Sequence, residues 1–152
     1  MFFCRGVLET VKKLGWQPDV IHCHGWMSGL MSLYIKKLYN KDPHFMNTKV
    51  VYSVYNDSFN KDWDKNFSAK LKFDGFSEDV IEELQDTSFL NISRVMMKYA
   101  DGINVASENL DPSLQAIVDD MTCLKQEYVA EENQNKVLTE FFDKVIEAEV
   151  LI

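Results

Sequence analysis

His22 and His24 stand two residues apart in Asp19-Val20-Ile21-His22-Cys23-His24, directly before Gly25-Trp26-Met27-Ser28-Gly29. On a strand, residues two apart share a face, so both imidazoles point the same way and Cys23 points the other. Two histidines could begin a metal site, but no third ligand stands nearby, and the pair reads as packed or hydrogen-bonded at a strand end. Cys23 reads as a small buried hydrophobe. Ser53 or Ser58 with His24 and Asp57 supplies the residue types of a nucleophilic triad, yet no GxSxG elbow accompanies them. The glycines after His24 permit close backbone approach at the start of a helix. The free N–H groups there favour an anion such as a phosphate. The stretch is neither a Walker loop nor a GxGxxG fingerprint, so this is a weak signal.

The elements that would carry these residues follow from periodicity. Phe3, Val7, Leu8, Val11 and Leu14 mark a helix over 3–14, stopped by Gly15. Residues 19–24 form a buried strand and 26–39 a second helix. The clearest strand is 49–55, Lys49-Val50-Val51-Tyr52-Ser53-Val54-Tyr55. A polar, aromatic stretch follows, with a short helix near 61–71. Further helices begin at Ser77 and Ser88. Ile103-Asn104-Val105-Ala106 is a third strand, and Asp111-Pro112 opens a helix to about Asp120. Residues 122–130 are ambiguous, and a last helix runs from Asn135 to about Leu151. Asn91-Ile92-Ser93 matches a glycosylation sequon but falls inside a helix. This alternation predicts an α/β domain built on a small parallel sheet of three clear strands with helices on both sides. Ligands of such sheets bind beyond the carboxyl ends of the strands. Three tips qualify: His24 to Gly29, Tyr55 to Ser58, and Ser107 to Asn109.

Composition bounds the function. The 152 residues carry 16 basic and 24 acidic side chains, a net charge of −8. Residues 1–76 hold 11 basic and 7 acidic groups, and 77–152 hold 5 and 17. The acidic half argues against nucleic acid as a partner. No apolar run reaches the roughly 20 residues of a membrane helix, and the N-terminal stretch lacks the pattern of a signal peptide. Three widely spaced cysteines, Cys4, Cys23 and Cys123, read as reduced thiols in a cytoplasmic protein.

Three segments carry a resemblance to one family. Leu14-Gly15-Trp16-Gln17-Pro18-Asp19-Val20-Ile21-His22-Cys23-His24-Gly25-Trp26 resembles the bacterial glycogen synthase and starch synthase family, where "LGW.PD" precedes "V.H.H" and then "DWH..L". Thr48 to Asn56 resembles its "T..V.T.HN", and Lys98 to Ser107 its "K...AD.V.TVS". The motifs occur in the family's order, each at a strand tip, and the likeness covers about residues 3–118. It implies two Rossmann-like domains facing a cleft (the GT-B arrangement), of which residues 1–152 form part of the N-terminal one. It also implies retaining transfer of glucose from ADP-glucose or UDP-glucose to an α-1,4-glucan, without a metal or cofactor.

The departures fall on the family's polar groups. Its "DWH" aspartate and histidine align with Gly25 and Met27, and the histidine of "HN" aligns with Tyr55, while Asn56 is kept. The family's "K.GGL" loop and its nucleotide-binding domain have no counterpart in the chain. A thioether neither donates a hydrogen bond nor carries charge. No catalytic residue is therefore carried over. His24, Gly25, Trp26, Met27, Ser28, Tyr55 and Asn56 mark where a sugar or nucleotide sugar would lie. The chain is expected to be inactive alone. Alternatives are a glucan- or sugar-phosphate-binding module, with Trp26, Tyr55, Phe59 and Trp63 as stacking aromatics, and a structural partner subunit. An open sheet edge predicts a homo-oligomer.

Overall fold

The computed structural model describes residues 1–59, 64 and 66–148. Four parallel strands form one sheet in the order β1-β2-β3-β4: Val20–His24, Lys49–Val54, Gly102–Val105 and Leu124–Gln126. His24 lies opposite Ser53, Ser53 opposite Asn104, and Asn104 opposite Gln126. The fourth strand sits in the stretch that periodicity left ambiguous. At three residues it is too short for an alternation to show, and pairing with β3 alone defines it.

The strand order decides where the helices go. Each crossover steps the same way across the sheet, and right-handed crossovers that do so return over the same face. The core agrees. Cys23, Val50, Tyr52, Val54, Ile103 and Val105 form one cluster with the helices α1 (Phe2–Lys13), α2 (Gly25–Lys37), α5 (Phe89–Lys98) and α6 (Pro112–Asp120). The alternate residues of the same strands face the other way. There Val20 and Val51 meet Phe141, Phe142 and Val145 of α7 (Glu131–Glu147). Both faces are thus covered as expected, but unequally.

Local sequence explains the boundaries. In α1, Cys4, Leu8 and Val11 face inward at helical spacing, and Gly15 follows the last turn with φ +66°. Asp111 caps α6 by accepting the Ser113 N–H at 2.8 Å, with Pro112 as first residue. Ser88 does the same for α5 with the Asn91 N–H, and the Asn91 side chain donates to the carbonyls of Glu83 and Asp86. α2 and α5 pack closely because Gly29 and Ser32 leave room. The Ser32 hydroxyl donates to the Met96 carbonyl at 2.9 Å.

Two expectations shift. The short helix expected near 61–71 is α3, Phe67–Asp74, and residues 60–63 and 65 lie outside the described ones. α7 starts at Glu131, before the expected Asn135. Glu131 and Glu132 favour its first turn by their charge rather than by any apolar periodicity. α4 (Glu78–Glu83) completes the elements. No helix among the described residues is long and apolar enough to cross a membrane.

Candidate functional site

The carboxyl ends of β1, β2 and β3 come together, and two contacts tie them. At the β2 tip the Asn56 N–H donates to the Ser107 hydroxyl at 3.0 Å, its Nδ2 donates to the Asn109 carbonyl, and its Oδ1 accepts the Asp111 N–H at 2.6 Å. Both ends of the Asn56 amide are thereby spent on the β3–α6 loop. Between the first two tips, His24 Nδ1 lies 2.8 Å from the Tyr55 hydroxyl. Burial raises the Tyr55 pKa, so its phenol stays protonated.

Beneath this pair lies a buried polar row on the face that α7 covers. His22 Nε2 is 2.7 Å from the Ser53 hydroxyl, which also accepts from Asn104 Nδ2 at 2.9 Å. The His22 and His24 rings are 4.0 Å apart, and the Phe142 ring meets His22 edge-on. Burial, and secondarily His24, lowers the His22 pKa to about 4. Asn104 was missed in sequence, although a polar residue inside the apolar Ile103-Asn104-Val105 was the available signal. Ser53 bonds His22 rather than His24, is 1% exposed, and no carboxylate bonds His22 among the described residues. A nucleophilic triad is not assembled. Nor do three or more His, Cys, Asp or Glu side chains converge as metal ligands among those residues.

At the helix start a carboxylate of the chain lies close to Gly25. Gly25 has φ +65°, and a Cβ there would meet Asp57 Oδ2 at 2.9 Å. The close approach that this glycine allows is taken by a carboxylate of the chain itself. The Ser28 hydroxyl turns back to the His24 carbonyl at 2.8 Å and the Gly25 carbonyl at 3.2 Å. Cys23 points into the opposite layer, where burial pushes its thiol up to about 12 and keeps it unreactive. Trp26 is half-buried against Phe59, which packs on Phe89. Trp63 lies outside the described residues. Met27 is 71% exposed and borders an open groove of about 550 Å³ with Phe2, Phe3, Trp26, Leu30 and Phe67, whose wall also holds the charged Asp64 and Lys70.

The family described as the starch synthase catalytic domain matches residues 1–118, from α1 into α6. The chain belongs to this family. It is 32% identical to the glycogen synthase of Desulforudis audaxviator over 116 residues, covering 75% of the chain and 23% of that protein. Identity to the glycogen synthase of Clostridium perfringens is 36% over 112 residues, 70% of the chain and 22% of the relative. To that of Chlorobaculum tepidum it is 50% over 56 residues, 37% and 12%. The chain thus spans less than a quarter of the length of these relatives. No solved structure matches it. The starch synthase match contains all three tips and stops short of β4 and α7, so the helix covering the second face lies outside it.

Proposed function

We propose that this chain is part of the N-terminal domain of a glycogen or starch synthase-like glucosyltransferase, its residues 1–152 forming one partial domain. In the complete enzyme this part serves transfer of glucose from ADP-glucose or UDP-glucose to an α-1,4-glucan. The family match across the three strand tips carries the reading. The tip residues His24, Gly25, Trp26, Met27, Ser28, Tyr55 and Asn56 then border the sugar. None of them is Arg or Lys, and Asp57 adds a negative charge beside Gly25. A departing nucleoside diphosphate needs positive charge or directed N–H groups, so the chain alone does not support transfer. Its contribution is to hydroxyl-rich, uncharged sugar. The three free thiols fit a cytoplasmic enzyme.

Isothermal titration of the purified chain with maltoheptaose and, separately, ADP-glucose tests this. Binding of the glucan supports a surviving sugar-handling tip. Heat with neither ligand favours a structural subunit. Among the described residues β1 has a neighbour on one side only, and we place self-association at that edge. A monomer by light scattering at high concentration rejects it.

A further inference from the structure

We infer that Tyr55 is a positioning residue that fixes the tautomer of His24, so that the imidazole keeps its proton on Nε2 and offers that N–H to a ligand hydroxyl at the β1 tip. The inference rests on the sugar-handling reading above and deepens it.

The geometry supports it in three ways. First, His24 occupies the N-cap position of α2 yet makes no capping hydrogen bond, so its ring is not committed to the helix. Second, its Nδ1 is engaged by the Tyr55 hydroxyl at 2.8 Å, whereas Nε2 makes no hydrogen bond among the described residues and the side chain is exposed. Third, the partner is a phenol. In a neutral imidazole one nitrogen donates and the other accepts, and the hydrogen bond made by one sets the proton on the other. An imidazole nitrogen is a stronger acceptor than a phenol oxygen, so in this 2.8 Å pair the phenol donates, leaving Nδ1 as acceptor and Nε2 as the N–H. His22 beneath, 4.0 Å away ring to ring, is held to Ser53 and stays neutral, so it sets no positive charge against His24.

The test is long-range ¹H–¹⁵N spectroscopy of the full chain labelled at its histidines, at pH 7.5, with His24 assigned by His24→Gln. The expected wild-type spectrum shows His24 Nδ1 as the lone-pair nitrogen and Nε2 as the protonated one. In Tyr55→Phe the two resonances move toward averaging. A proton on Nδ1 in the wild type overturns the proposal, as does an unchanged tautomer in Tyr55→Phe. If that variant does not fold, the wild-type tautomer decides. Maltoheptaose affinity should fall about fivefold in Tyr55→Phe, the scale of one net hydrogen bond. The expected tautomer in a wild-type chain that binds no maltoheptaose upholds Tyr55 as positioning residue and overturns the functional reading instead.

Discussion

Asn56 Oδ1 accepts the backbone N–H of Asp111 at 2.6 Å, joining the tip of β2 to the cap of α6 across 55 positions of sequence. Together with the Asn56 Nδ2 bond to the Asn109 carbonyl, this makes the side chain a clamp on the β3–α6 loop. Asn56→Ala should lower stability by about 1–2 kcal/mol, since two exposed hydrogen bonds are lost and the freed groups can reach water. Asn56→Asp should cost more, because it sets a charged carboxylate oxygen against the Asn109 carbonyl oxygen, a repulsion that alanine does not create. Urea unfolding of the two variants checks the order. An unchanged midpoint in both would remove the clamp.

The same residue shows what was legible in the sequence. Asn56 follows a strand and matches a family motif, which marks it as a site position. Its partners lie in a loop that nothing in the local pattern connects to it. Long elements with strong periodicity, such as α1 and β2, were readable from spacing, as was the parallel α/β class. β4 was not, because a three-residue strand exists through pairing rather than pattern. At the site, the sharing of one face by His22 and His24 followed from strand period alone. The approach of Asp57 to Gly25 did not. It depends on the path of the chain after Tyr55, which is set by tertiary packing.

Gly29 of α2 faces the Met96 side chain of α5. A Cβ there would lie 2.1 Å from Met96 Sδ and 2.7 Å from its Cγ, and Met96 is fully buried. To admit that Cβ the Met96 side chain must shift, and its burial gives it no route into solvent. Gly29→Ala should therefore destabilise by about 1–3 kcal/mol despite the better helix propensity of alanine. Combining it with Met96→Ala should cost less than the sum of the two single changes. Additive costs in a double-mutant cycle would show that the helices separate instead.

The second face of the sheet depends on one helix among the described residues. Phe141 is 3% exposed, and with Val145 it packs on Val51 and against Gly102, where a Cβ would come within 2.9 Å of the Phe141 ring. Phe141→Ala should cost about 3–5 kcal/mol. Hydrogen exchange should then rise first in α7, while the α2–α5 side stays protected. Uniform loss of protection would mean that the two faces unfold as one unit.

His22 should make stability depend on pH in a defined window. In the native chain, burial and then His24 lower its pKa to about 4. In the unfolded chain it takes up a proton near the ordinary value of about 6.5. Between these values the unfolded state binds the extra proton, so acid favours unfolding. The contribution of neutral His22 is complete above about pH 6.5 and is lost as pH falls toward the native pKa. His22→Gln removes this titration, while the carboxylates and the other histidines remain common to both proteins. Urea midpoints measured from pH 7.5 to 4.5 should fall more steeply for the wild type than for the variant. The difference should concentrate below pH 6.5 and vanish above it. Parallel curves through that window would mean that His22 titrates as it does in the unfolded chain. That in turn would place water, rather than Ser53 and the Phe142 ring, around its imidazole.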